Sequence, residues 1–148
     1  GANAADGSGY LDLASLIRKY GAVPKKDLQE LWHRIVFNMA VSNTDDHLRN
    51  HGFILSKEGW KLSPAYDMNP TTDGDVLSLN VDTDNNLIDF ELALSVAKLY
   101  EIPQKQALEN LEEIKNTVET SWRKLAQYYG LNRGEIEAMA PAFDMTFK

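Results

Sequence analysis

One run of residues limits what this chain can become: Asn43-Thr44-Asp45-Asp46-His47-Leu48-Arg49-Asn50. Nearly every side chain in it is polar, so it cannot be the interior of a helix or strand. Upstream, Pro24 sits where a first helical turn accepts it. Leu28, Leu31, Trp32, Ile35, Val36 and Met39 then recur at three-to-four spacing, so a helix with one buried stripe carries the chain to about Val41 and into the polar run. Downstream, residues 52–57 and 60–63 read as two strands around a two-residue turn at Glu58-Gly59. A solvated loop built on Asn, Thr and Asp as turn formers would account for the composition alone. The hairpin adds a geometric expectation. A turn centred between Glu58 and Gly59, with pairing continued outward, sets Asn50 opposite Asp67, about 5 Å away.

That pairing matters because an amide oxygen and a carboxylate so close can share a hard cation. Magnesium takes oxygen ligands and completes its shell with waters or substrate phosphates. Asp45 precedes Asn50 by the interval found in the protein-kinase catalytic loop, where the Asp accepts the substrate hydroxyl proton and the Asn holds a metal. The order Asp45, Asn50, hairpin, Asp67 repeats that arrangement. His47 stands two residues beyond Asp45, giving D-x-H-x-x-N, as in phosphoinositide lipid kinases. Its imidazole is placed to contact a γ-phosphate, to orient Asp45, or only to brace the turn. Asp46 and Arg49 read as exposed, with Arg49 able to approach a phosphate.

The stretch N-T-D-D-H-L-R-N-H-G-F, followed by W-K-L-S-P-A-Y-D, resembles the HipA family, the kinase toxins of bacterial toxin–antitoxin pairs. The resemblance runs from about Asp6 to Leu79. It implies the C-terminal lobe of a protein-kinase-like fold, with Asp45 as catalytic base, Asn50 and Asp67 as Mg2+ ligands, His47 near the phosphates of ATP, and Tyr66 packed beside Asp67. It also implies a serine/threonine protein kinase acting on a protein substrate in the cytoplasm, with a DNA-binding antitoxin as partner. Family members carry an N-terminal part that supplies a phosphate loop and an ATP-site Lys. The residues ahead of Asp45 are mostly helical and hold no strand Lys, so this chain alone is expected to bind ATP weakly or not at all.

The rest of the sequence fits a mainly α domain with one β-hairpin. Residues 1–10 are linker-like, and residues 11–148 form the lobe. The opening on Gly within a loop-like stretch suggests a fragment without its N-terminal lobe. Leu13, Leu16, Ile17 and Tyr20 mark one face of a short first helix, and Asp89 can cap a later one. A long helix from Pro103 to Gly130 presents Leu108, Leu111, Ile114 or Lys115, Val118, Trp122, Leu125 and Tyr129 as its apolar side. Asn132 and Glu135 form a capping-box start for the last helix, and Pro141 ends it.

Several functions are disfavoured. The net charge of −7 argues against general binding to nucleic acid or membrane surfaces, both of which are anionic. Without cysteine there are no disulfides, thiolate metal sites or cysteine nucleophiles. The segment from Asp82 to Asn86 begins like a calcium loop but has Leu87 and Ala93 where Gly and Glu are required, so it reads as a polar turn. Two alternatives to the protein kinase remain: a non-catalytic interaction lobe of kinase ancestry, and another atypical kinase, for lipid or small molecules, that shares D-x-H-x-x-N.

Overall fold

The computed structural model describes residues 3–148, and these fold around one helix. Five helices are present among the described residues: α1 (Tyr10–Tyr20), α2 (Pro24–Val41), α3 (Phe90–Val96), α4 (Gln104–Tyr128) and α5 (Arg133–Met139). A single antiparallel hairpin joins β1 (Phe53–Ser56) to β2 (Gly59–Leu62). The mainly α architecture with one hairpin is therefore the one predicted. No helix among the described residues is long and apolar enough to cross a membrane.

The apolar stripe of α2 forms the centre of the core. Leu28, Leu31, Trp32, Ile35, Val36 and Met39 are all within 1% of complete burial. α1, α3 and α4 pack around this helix. Trp32 also donates its indole N–H to the Ala93 carbonyl at 2.9 Å, which ties α2 to α3 and satisfies the one polar group of a large buried ring. α1 contributes Tyr10, Leu13, Ala14 and Ile17, spaced three and four apart. Leu16 and Tyr20, expected on the same buried face, stay about half exposed and line an apolar cleft of about 350 Å³ with Phe53 and Trp60.

α4 departs further from its expected pattern. Ala107, Leu111 and Val118 are buried, but Leu108, Leu125 and Tyr129 are exposed. Length explains most of this. At 1.5 Å per residue α4 is about 38 Å long and α2 about 27 Å. The helices run side by side in the same direction, with His33 against Asn110 and the end of α2 near Val118 and Trp122. The last turns of α4 pass beyond α2 and meet only α5 and the residues just after it, so part of a spacing suited to burial stays exposed. Trp122 stacks on Phe143 instead, with ring centroids 4.3 Å apart. His33 is half-buried beside Trp32, and this burial lowers its pKa.

The hairpin is held against the helices by its backbone. Ala22 N–H donates to the Trp60 carbonyl at 2.8 Å, and the buried Asp27 carboxylate accepts from Leu62 N–H at 2.8 Å. The turn is one residue earlier than predicted: Ser56 pairs with Gly59, leaving Lys57-Glu58 at the tip. Gly59 is the first residue of β2 rather than a central turn residue, and its backbone favours glycine. It has φ +128°, and a Cβ there would come within 3.3 Å of the Tyr20 carbonyl oxygen.

The N-terminal segment was expected to be linker-like. Gly1 and Ala2 lie outside the described residues. From Asn3 onward the segment is tied to the body. Asn3 caps a 3-10 turn at Ala4–Asp6, Ala4 N–H donates to the Ser78 carbonyl at 2.7 Å, and Gly9 bridges Asn80. Leu77 and Leu79 are buried, and the isolated bridges of this stretch are made by their neighbours Val76 and Asn80. Pro141 does not end the last helix abruptly but sits in a 3-10 continuation of it, Ala140–Phe143.

A Cβ added at Gly9 would lie 2.6 Å from the Asn80 carbonyl oxygen. Gly9→Ala is therefore expected to lower unfolding free energy by about 1–3 kcal/mol. Ser15→Ala, on the exposed side of α1, should change it by no more than about 0.5 kcal/mol. Urea titration of the two variants measures the difference, and equal midpoints would refute the close-approach argument.

Candidate functional site

α2 ends at Ser42, which adopts a left-handed conformation (φ 55°) and turns the chain into the polar run. Ser42 is fixed on both sides. Its hydroxyl donates to the Ala142 carbonyl at 2.7 Å, and its own carbonyl accepts from Thr71 N–H at 2.9 Å. Beyond it, Leu48–Asn50 forms a 3-10 turn.

Within this frame the four predicted site residues are joined by hydrogen bonds. His47 Nε2 lies 3.0 Å from Asp45 Oδ1. His47 backbone N–H donates to Asn50 Oδ1 at 2.8 Å, and Asn50 Nδ2 donates to Asp67 Oδ2 at 3.0 Å. The Asp45 side chain is 74% exposed, whereas Asn50 is buried. Asp67 is exposed, and its second carboxylate oxygen accepts from Asn69 at 2.9 Å. His47 Nδ1 is buried and without a hydrogen-bond partner.

Asn50 and Asp67 meet, but not by the predicted route. In the observed register Phe53 pairs with Leu62, and the last ladder-like bond runs from Ser63 N–H to the Gly52 carbonyl. Continued outward, that register would oppose Asn50 to Ala65. The strand ends first. Tyr66 O–H then donates to the Arg49 carbonyl at 2.7 Å, and Asp67 takes φ +56°, which turns its carboxylate onto Asn50. Asp is among the few non-glycine residues that tolerate this conformation.

A hard cation here would take the Asp67 carboxylate and the Asn50 amide oxygen, which in this structure faces His47 N–H while Nδ2 faces Asp67, with phosphates and water completing its shell. Among the described residues no three His, Asp or Glu side chains gather as a self-sufficient metal centre. The segment that returns from Asp67 packs along the loop: the hydroxyls of Thr71 and Thr44 are 2.9 Å apart, and Ser78 Oγ donates to the Thr44 carbonyl.

The largest correction concerns Asp46, expected at the surface beside Arg49. Arg49 is exposed, but Asp46 is 2% exposed. Its Oδ2 accepts from Tyr10 O–H at 2.6 Å, Asn38 Nδ2 at 3.0 Å and His51 Nε2 at 2.7 Å. Burial, and then the Asp46 charge, push the Tyr10 phenol well above its usual pKa, so it remains a donor. His51 Nδ1 lies 3.3 Å from Arg34, which can only donate, so the ring is neutral with its hydrogen on Nε2. The buried Arg34 also donates to Glu30 and to the Ser63 carbonyl at the end of the hairpin. Sequence reasoning missed Asp27, Arg34 and Asn38. Their positions share one face of α2, and their spacing of seven and four residues beside the apolar stripe was the available signal.

Residues 2–122 match the family described as HipA-like C-terminal domain. A protein of Sinorhizobium fredii (strain NBRC 101917 / NGR234) named "Putative kinase Y4mE" is 32% identical over 62 residues, which are 42% of this chain and 15% of that protein. The solved complex of Shewanella oneidensis MR-1 HipA, HipB and operator DNA contains a chain that superposes with a TM-score of 0.74 at 19% identity, over 93% of this chain and 34% of that one. At that identity the likeness is one of fold. The chain thus spans about a third of the solved chain and a smaller share of the kinase relative.

The adjacent aspartates should respond oppositely to truncation. Asp46→Ala strands three buried donors and is expected to cost about 3–5 kcal/mol, the range for breaking a buried charged cluster. Asp45→Ala, at the surface, should cost no more than about 0.5 kcal/mol. Chemical denaturation of both variants decides this, and similar losses would show that Asp46 is not an anchor.

Proposed function

The chain belongs to the HipA-like C-terminal domain family, and from this we propose that it is the C-terminal catalytic lobe of a serine/threonine protein kinase. The observation that carries the reading is the unbroken line of hydrogen bonds from Asp45 through His47 and Asn50 to Asp67. It joins an exposed carboxylate to an amide–carboxylate pair, the arrangement phosphoryl transfer needs. Asp45 accepts the proton of the acceptor hydroxyl as that oxygen bonds to the γ-phosphorus of ATP. The bond from phosphorus to the bridging oxygen breaks, and ADP leaves. His47 orients Asp45 through its Nε2 hydrogen. Asn50 and Asp67 would hold Mg2+, which when bound neutralises charge on the β- and γ-phosphates.

Ahead of Asp45 the described residues form two helices and no strand, so in this reading the phosphate loop and ATP-site Lys belong to parts of the protein outside these residues. We further propose that the whole protein is the toxin of a toxin–antitoxin pair acting in the cytoplasm. The solved relative is assembled with HipB and operator DNA. An antitoxin that itself contacts DNA is the partner this likeness suggests, and an acidic lobe is unsuited to bind DNA directly.

The test is made in the full-length protein with Asp45→Asn and Asp67→Asn. Asn keeps the shape of the first side chain and tolerates the left-handed backbone of the second. Each should reduce Mg2+-dependent transfer of the γ-phosphate by about 10²- to 10⁴-fold with little change in melting temperature. If both variants keep wild-type transfer, the catalytic assignment fails and an interaction lobe of kinase ancestry takes its place.

A further inference from the structure

We propose that Asp46 and His51 form a clamp that positions the loop, and that they are positioning residues for Asp45 and Asn50. What the loop does rests on the reading above; the clamp itself rests on geometry. The two side chains are each 3% exposed and lie 2.7 Å apart. Each sits immediately after a site residue, Asp46 after Asp45 and His51 after Asn50. Their hydrogen bond therefore closes the loop just behind the two groups whose separation matters.

The surroundings fix both halves of the clamp. Asp46 is held from α1 by Tyr10 and from α2 by Asn38. His51 meets the Tyr10 ring edge-on, with centroids 6.0 Å apart, and has Arg34 behind it. With the Asp46 side chain turned into the core, the preceding Asp45 projects to solvent, where an acceptor hydroxyl can approach. With His51 turned inward, Asn50 is left facing both His47 N–H and Asp67. An apolar pair of similar volume would fill this space but take away the acceptors that Tyr10 O–H, Asn38 Nδ2 and Arg34 have here. A directional tie between the loop ends is what the polar pair adds.

The test uses His51→Ala and His51→Gln in the full-length protein. Glutamine can place an amide donor near the position of Nε2, whereas alanine cannot. Two readouts are taken: hydrogen exchange across residues 44–52, and kcat for Mg2+-dependent γ-phosphate transfer with the Mg2+ concentration at half-maximal rate. His51→Ala should speed loop exchange at least about tenfold while exchange in α2 is unchanged. It should lower kcat about 10- to 100-fold, the scale of a roughly 1 Å misplacement, and raise the Mg2+ requirement. His51→Gln should restore most of each. If His51→Ala does not fold, His51→Leu, which fills the space without a donor, takes its place and is read in the same way. A folded donor-less variant at His51 with wild-type loop exchange, or with faster exchange but wild-type kcat and Mg2+ dependence, overturns the proposal. A wild-type protein that transfers no phosphate refutes the kinase reading instead, and loop exchange then judges the clamp by itself.

Discussion

A buried carboxylate with three donors is the interaction on which the rest of this structure depends. Removing Asp46 from water is costly, and the cost is offset only when its partners are in place. Those partners come from α1, α2 and the residue entering the hairpin. Satisfying one charge therefore fixes the relative positions of three segments. Hydrogen bonds to an ionised group contribute about 1.5–3 kcal/mol each, more than neutral ones. The loop is held by its least hydrophobic member, not by the apolar core.

α2 connects that polar centre to the hydrophobic one. One face carries Leu28, Leu31, Trp32, Ile35 and Met39; another carries Asp27, Arg34 and Asn38, all buried. The apolar face sets where the helix lies. The polar face sets what lies against it: Asp27 takes the β2 backbone, Arg34 takes the end of the hairpin and His51, and Asn38 takes Asp46. A strand pair this short has little stability of its own. It is ordered here because side chains of a long helix accept and donate at its margins.

The helices and the hairpin could be read in the sequence because their periodicities are local. The boundaries of α2 at Pro24 and Val41 follow from a proline and the end of a stripe. Candidate site residues could be listed for the same reason, since Asp45, His47 and Asn50 fall within one short run. Their meeting with Asp67 was expected on an incorrect register. Gly59 looked like a central turn glycine but begins β2 with a positive φ, and the contact with Asn50 comes from Tyr66 and a left-handed backbone rather than from strand pairing. The burial of Asp46 could not be read locally. Its partners lie 36, 8 and 5 residues away, and an Asp beside an Asp in a polar loop looks solvated. The overhang of α4 had the same cause: spacing shows which side of a helix is apolar, but not where its neighbour stops.

The left-handed backbone at Asp67 restricts which residues can replace it. Aspartate, asparagine and glycine enter that region readily; β-branched and bulky residues do not. A lineage that lost the acid would drift first to asparagine or glycine, and its descendants would keep the same outline without the carboxylate. Among chains of this shape, the single letter at that position would then separate those that retain the carboxylate from those that have only inherited its mould.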